Sequence, residues 1–218
     1  MTGRELVKNS ESRAIIAQMT DLKAAIRQFE TLYNGLPGDL ANASSFWSGA
    51  TNGNGNKAIE GEPSDEAFMA FDHLSRAGII NGSFLGQWNG GFVFSALTGN
   101  NVVQLKRKGG AIYIRCCSNT DYARNLSFNN MINIFSISDS GNAYRGGIVT
   151  PVEALSIDQK MDDGNPDTGY IGGAGAYNAG YSAGDCYFGS GITAQYYSND
   201  VVRRNLPSCQ VLFAYDWN

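Results

Sequence analysis

Residues 12–44, "SRAIIAQMTDLKAAIRQFETLYNGLPGDLANAS", decide the fold. Within them Ile15, Met19, Leu22, Ile26, Phe29 and Tyr33 recur at spacings of 4, 3, 4, 3 and 4 residues. Such spacing lines one face of an α-helix and does not suit a strand, whose side chains alternate between two faces. It predicts a helix over residues 12–34. The end of that helix is punctuated: Gly35 suits the left-handed position beyond a helix, Leu36 can fold back onto the last turn, and Pro37 forbids continuation.

Followed upstream, the stripe meets Ser12, Lys8 and Glu5, so the first ten residues are helix-compatible but bring no continuous apolar face to the chain's own core. "MTGRELV" holds no N-cap box. A missing start and a definite end read as a helix cut at its front.

Downstream, Asp39 can cap a short turn through "LANASSF", and "TNGNGN" is a surface loop. Asn52, Asn54, Asn56 and Glu60 have a faint EF-hand rhythm, but neutral amides in place of carboxylates favour a plain turn-rich loop. A second helix is expected from Ser64, with Asp65 and Glu66 in its first turn and Phe68, Phe71 and Leu74 facing the core. "NVVQLKR" and "AIYIRCC" are alternating runs joined near Lys108, Gly109 and Gly110, a hairpin signal whose inward face is Val103, Leu105, Ile112 and Ile114. "NMINIFSIS" and "VLFAYDW" read as further strands. In "TPVEALSIDQKMDDG", Thr150 caps a helix, Pro151 occupies its first position, Glu153 completes a capping box and Gly164 ends the element. Gly169 to Gly191 is Gly- and Tyr-rich with no amphipathic period, and reads as a loop region. No internal repeat and no linker divides the 218 residues, so one domain with elaborations is expected.

With 43% hydrophobic and 17% charged residues the chain has the composition of a folded domain. A net charge of -4 provides no general attraction to nucleic acid, and Lys106, Arg107 and Lys108 read as a solvated hairpin tip. No run of about 18 apolar residues or signal-peptide core is present. The single histidine, His73, lies within a predicted helix with no cysteine or histidine at metal-ligand spacing and reads as a structural or surface histidine rather than a catalytic one. Nucleophile elbow, H-E-x-x-H and P-loop patterns are absent, and the glycines of "GGAGAYNAG" lack a strand-to-helix setting. The carboxylate pair of a glycoside hydrolase is a spatial arrangement that spacing along the chain does not report, and no enzyme is expected.

Asp158, Asp162, Asp163 and Asp167 gather around the C-terminus of the third helix, where the macrodipole disfavours negative charge by ~0.3–1 kcal/mol each. Bound calcium, Lys160, an arginine from elsewhere or simple hydration could each offset that. The cysteines Cys116, Cys117, Cys186 and Cys209 show no C-x-x-C spacing and suit an exported protein with disulfides. Neighbours in a strand point to opposite faces, so Cys116 and Cys117 are poorly placed to bond each other. Two long-range bridges from them to Cys186 and Cys209 are one outcome. The other is Cys186 with Cys209, with two odd thiols left over.

Three blocks carry a resemblance: "AIIAQMTDLKAAIRQFETLYNGLPGDLANASSFW", "NGNGNKAIEGEPSDEAFMAFDHLSRAGIINGSF" and "TPVEALSIDQKMDDGNPDTG". Across about residues 3–169 the chain resembles bacterial prepilin-like proteins, the type IV pilins and type II secretion pseudopilins. The most specific elements are the tyrosine and "LPGD" closing the helix, "HLSRAGIING", and the "ID-x-K-x-DDG-x-P" block. In that family an apolar helical half precedes the part seen here, anchors the precursor in the inner membrane and packs in the filament core. This sequence departs by lacking it, together with the peptidase recognition residues, and "MTGRELV" looks like an artificial start in a recombinant soluble form.

The resemblance implies an α+β, pilin-like fold. A long N-terminal helix would pack on an antiparallel β-sheet, with extra short helices, a Gly/Tyr-rich loop region and a C-terminal part often held by a disulfide. Residues 1–35 would be the helix without its membrane half, and residues 36–218 the globular head. The stripe Ile15, Met19, Leu22, Ile26, Phe29 and Tyr33 would be the helix-packing face of the filament, and residues 169–191 either a subunit-specific surface or a structural loop. The implied function is a structural subunit of a type IV pilus or pilus-like filament, not an enzyme. It would have copies of itself, other pilins or pseudopilins and the inner membrane as partners, no nucleic acid, and a final place in the periplasm or on the cell surface. No cofactor is required, calcium at the four aspartates being the one candidate. The alternatives are a pseudopilin of a secretion or DNA-uptake machine and, from another class, a secreted carbohydrate-binding or adhesive domain.

Overall fold

The apolar stripe folds into α1 (Gly3–Tyr33), a helix of 31 residues. The computed structural model describes residues 3–61, 65–87, 100–116, 130–136, 146–175 and 185–214. Ile15, Met19, Leu22, Ile26 and Phe29 are buried in a core shared with the sheet, and Tyr33 packs against it half-buried. The left-handed residue that ends α1 is Asn34 (φ 53°), one position before the expected Gly35. Asn visits this conformation more readily than other L-residues, and its amide closes the last turn on the Glu30 carbonyl at 2.8 Å.

A four-residue helix, α2 (Ala43–Phe46), follows. Asp39 does not cap it, against expectation. Asp39 is buried, and its carboxylate accepts from the amides of Gly55 and Asn56 through Oδ1 and of Lys57 through Oδ2. The acceptor is spent across the chain on the Asn/Gly loop. Helix α3 (Glu66–Arg76) begins after Asp65, buries Phe68, Phe71 and Leu74 as expected, and ends at Ala77 before the left-handed Gly78; the expected start at Ser64 lies outside the described residues.

Five antiparallel strands form the main sheet in the order β1-β2-β3-β7-β4, where β1 is Val103–Gln104, β2 Gly110–Cys116, β3 Asn130–Ser136, β4 Ile171–Gly175 and β7 Cys209–Ala214. β1 is shorter than "NVVQLKR" suggests, and the other two predicted runs form β3 and β7. Within β2, Ala111, Ile112, Tyr113 and Ile114 are all buried, so both faces are covered there. The Tyr113 ring lies 5.6 Å from that of Phe68 on α3. A two-stranded ribbon pairs β5 (Tyr187–Phe188) with β6 (Gln195–Tyr196).

Reading residues 169–191 as a loop region needs correction. Ile171–Gly175 is a fully buried strand, and β5 lies in the same stretch; residues 176–184 lie outside the described residues. One glycine of β4 serves packing: a Cβ at Gly173 would stand 2.6 Å from Tyr196 Cε1 and 3.0 Å from Pro166 Cβ. Glycine in a strand marks such close approaches.

Helix α4 (Pro151–Met161) starts as its sequence dictates. The Thr150 hydroxyl accepts from the Glu153 amide at 3.3 Å, and Glu153 Oε2 accepts from the Thr150 amide at 2.8 Å. It stops at Met161, before the left-handed Gly164 that was expected to end it. The hairpin-tip cation Arg107 is not simply solvated, since it reaches Glu153 at 3.2 Å and Glu11 at 3.5 Å, joining the hairpin to α4 and α1.

Candidate functional site

The acidic segment after α4 is where the chain concentrates charge. Asp158, Asp162 and Asp163 each bring a carboxylate oxygen within 4.8 Å of the others. Asp167, predicted to join them, turns away: its Oδ2 accepts from the Gly191 amide at 2.6 Å. The other carboxylates are also hydrogen-bonded. Asp158 Oδ1 accepts from the Gly164 amide at 2.9 Å, and Oδ2 from the Tyr196 hydroxyl at 2.9 Å. Asp162 Oδ2 accepts from the amides of Tyr170 and Ile171, the latter at 3.0 Å. Asp163 accepts from the Asn165 amide at 2.8 Å and the Thr168 hydroxyl at 2.5 Å.

Burial pushes the Asp158 carboxyl up to about 7; the Gly164 and Tyr196 bonds oppose that rise, and the neighbouring Asp163 and Asp162 charges add to it. Burial, then the Asp158 charge, holds the Tyr196 hydroxyl well above its ordinary value. The crowding that the sequence left to be offset is therefore met in part by donors and by protonation of Asp158 near neutrality. Calcium takes 6–8 oxygens. Three of the four predicted carboxylates converge where such an ion would need them, and each already fastens the loop.

The Asn/Gly loop is held by acids in a different way. Glu66 Oε1 accepts from the Asn54 amide and Oε2 from the Glu60 amide, both at 3.0 Å. Glu60 accepts from the side-chain amides of Asn54 and Asn56 at 2.8 and 3.0 Å. The Asn54 and Asn56 side-chain oxygens accept from amides two residues on, at 2.9 Å each. The EF-hand rhythm is thus a run of Asx turns around buried carboxylates. His73 is fully buried, with Nδ1 accepting from the Gly38 amide and Nε2 facing the Thr51 carbonyl, both at 2.9 Å. It is a buried histidine, not a surface one.

Both edges of the main sheet are covered by side chains or loop. At β1 the Leu105 amide bonds inward to Gly110, so Gln104 and Lys106 present their backbone outward. Gln18 of α1 fills that gap: its amide donates to the Gln104 carbonyl at 2.9 Å and its carbonyl accepts from the Lys106 amide at 2.8 Å. At β4 the outward amides of Ile171 and Gly173 go to Asp162 and to the Pro166 carbonyl. The acidic loop is an edge cover. Edges occupied at these groups are poorer templates for another strand. Gln18 sits beside Met19 in the helical pattern and gives no sequence signal of this role; the same is true of Tyr196, hidden in a tyrosine-rich stretch.

The α1 stripe assigned to filament packing also needs correction. Ile15, Met19, Leu22, Ile26 and Phe29 are spent on this chain's own core, and from residue 10 onward the exposed residues of α1 are Ser10, Arg13, Ala17, Thr20, Asp21, Ala24, Arg27, Gln28, Thr31 and Leu32. Val7, upstream of the buried stripe, is 58% exposed. No described helix is long and apolar enough to cross a membrane.

Cys186 and Cys209 form a disulfide with Cα atoms 4.9 Å apart, tying β5 to the start of β7. That removes the pairing of these two with the central hairpin. Cys116 is disulfide-bonded rather than an odd thiol, and Cys117 lies outside the described residues.

A scan against protein-family models, a search of curated proteins and a search of solved structures find no match to this chain. The α+β arrangement, with its long N-terminal helix and small antiparallel sheets, rests on the structure itself.

Proposed function

We propose that this chain is the head and adjoining helix of a structural subunit of a type IV pilus or pilus-like filament. One observation carries the reading: a 31-residue helix buries one stripe in a core it shares with a five-stranded antiparallel sheet, and side chains or loop bond to outward groups on both sheet edges. Those bonds disfavour association by strand addition to the main sheet, which makes the helix surface the better route to neighbours. The resemblance in "LPGD", "HLSRAGIING" and "ID-x-K-x-DDG-x-P" supports the same class. The partners are copies of this chain and related subunits. The membrane-anchoring apolar half is proposed to lie upstream of residue 3, with the precursor in the inner membrane and the product in the periplasm or on the surface. No reaction and no nucleic acid are involved.

The test is to sequence the native gene upstream of the Gly3 codon and to probe sheared surface filaments with antibody to the head. A leader, a cleavage junction and about twenty apolar residues, with head antigen in the filaments, is the expected result. Head antigen confined to the periplasm would move the assignment to a secretion or DNA-uptake pseudopilin. An ordinary cleaved signal without an apolar helix would overturn both in favour of a secreted binding domain.

A further inference from the structure

His73 joins three pieces of the molecule. Its ring stacks on Phe29 of α1 at 6.3 Å and 14°, and Trp47 lies 6.0 Å away at 34°. Nδ1 holds the Gly38 amide of the turn after α1, and Nε2 meets the Thr51 carbonyl of the loop beyond α2. An amide can only donate and a carbonyl only accept, so these two partners fix the ring as the neutral tautomer with its proton on Nε2. A second proton on Nδ1 would face the Gly38 N–H, donor against donor.

We propose that His73 is a proton-operated latch: neutral, it fastens the segment from Pro37 to Lys57 onto α3, and protonated, it releases that segment while the sheet stays folded. The geometry restricts how the clash is relieved. Gly38 (φ +88°) lies so close to α3 that a Cβ there would collide with the Glu66 carbonyl and stand 3.0 Å from the Ala70 nitrogen. The turn cannot slide inward and must lift away. The same segment is tied to itself, since the Gly53 amide bonds to the Leu40 carbonyl and the Gly55 amide to the Asp39 carbonyl. It would therefore lift as a unit, against further ties to α3: Glu66 Oε1 accepting from the Asn54 amide, and Arg76 donating to the Ser48 and Gly49 carbonyls.

The charged groups acting on the ring are Asp72 and Arg76 of its own helix, and these are paired with each other at 2.7 Å. From α1 and from the end of α2 the ring meets uncharged Phe29 and Trp47. From the turn it meets backbone, the nearby Asp39 carboxylate being turned to the amides of residues 55–57. Burial, the largest influence, lowers the His73 pKa from its ordinary value. A ring that titrates normally only once released makes the open population grow as pH falls from about 6.5 to the lowered pKa of the fastened ring, by up to about tenfold per unit.

His73 is the one histidine of the chain, so its ring resonances are unambiguous in NMR of the protein as it stands. The expected result has two parts. Ring nitrogen shifts report the Nε2–H tautomer at neutral pH with a midpoint below the ordinary value. Hydrogen exchange, corrected for intrinsic pH dependence, then shows residues 37–57 losing protection by up to about tenfold per unit while 110–116 and 209–214 keep theirs. An Nδ1–H tautomer, a pH-independent segment, or equal loss in the strands would each overturn the latch. His73→Asn places an amide oxygen near the Nδ1 position and should abolish the acid dependence; if that variant does not fold, the wild-type measurements decide.

Discussion

Gly173→Ala tests whether the glycines of β4 are packing residues or the remains of a flexible loop. A Cβ there would stand 2.6 Å from Tyr196 Cε1 and 3.2 Å from Tyr196 Cζ, where ordinary contact is 3.4–4 Å. The ring must recede by about 1 Å to restore ordinary contact. It is not free to do so, because its hydroxyl is held 2.9 Å from buried Asp158 Oδ2. Overpacking of this kind costs about 1–3 kcal/mol. Pulling the hydroxyl off a buried carboxylate costs about 1–3 kcal/mol more. The lower unfolded-chain entropy of alanine returns about 0.4–1 kcal/mol. The net destabilisation is about 1–5.6 kcal/mol, or a fall in Tm of roughly 2–22 °C at 2–4 °C per kcal/mol for a chain of this size. Urea unfolding followed by far-UV circular dichroism reads it. Repeating the substitution in a Tyr196→Leu background removes the obstructing ring, and the cost should shrink by at least about 1 kcal/mol. An effect within about 0.5 kcal/mol of wild type, or one unchanged by Tyr196→Leu, would refute the packing argument.

Other measurements address the remaining fastenings. Replacing Cys186 and Cys209 together by serine opens a loop with a sequence separation of 23; the chain-entropy relation gives a loss of about 3.4 kcal/mol, read as a lower urea midpoint with residues 187–208 exchanging first. Glu66→Gln leaves one acceptor oxygen for the two amides of Asn54 and Glu60 and should cost about 1–3 kcal/mol, with protease sensitivity appearing in the 52–60 loop. Millimolar calcium should leave Tm unchanged, because the acidic carboxylates are already engaged as edge fastenings; a rise that Asp162→Asn removes would identify a cation site instead. The pH profile carries two opposed contributions. Asp158, raised to about 7 from 3.8, binds more protons folded than unfolded, so its part of stability grows as pH falls below about 7. His73, lowered, binds fewer when folded, so its part is lost as pH falls below 6.5. Asp158→Asn should therefore steepen the acid loss of stability, and His73→Asn should reverse it.

The parts of this fold legible in the sequence are those set by local chemistry. The α1 stripe is a periodicity, and the start of α4 is a capping box whose members lie within four residues of each other. Phe68, Phe71 and Leu74 likewise follow from the helical pattern. Misread features depend on distant partners. Asp39 looked like a cap because nothing local shows that the amides of residues 55–57 will come within its reach. Ile171–Gly175 looked like a loop because the glycine at its centre, Gly173, answers to Tyr196, more than twenty residues away. The acidic cluster was visible as charge density, but its use as an edge cover needed β4 to be recognised first. The stripe was correctly located and wrongly assigned to neighbours, since periodicity reports that a face is buried and not by what.

If neighbours must meet through α1, the charges on its exposed face constrain how. At about 100° per residue, Asp21 lies about 120° around the helix from Arg27, on the opposite flank of the exposed arc, and about 9 Å before it along the axis. Two antiparallel copies related by a two-fold axis perpendicular to α1 would set like flank against like flank. A copy displaced along the axis by about 9 Å sets the Asp21 flank of one against the Arg27 flank of the next. That contact is heterologous, and repeated it gives an open filament rather than a closed dimer. Exposed ion pairs contribute about 0–1 kcal/mol each, so these charges select the stagger without holding the assembly together. The proposed filament function therefore predicts that Asp21→Arg in the full-length protein lowers filament yield in sheared fractions while leaving the Tm of the head unchanged. Combining it with Arg27→Asp should restore yield, because the complementary flanks are exchanged rather than lost. Normal filaments from Asp21→Arg, or failure of the double reversal when each single variant folds, would exclude this stagger.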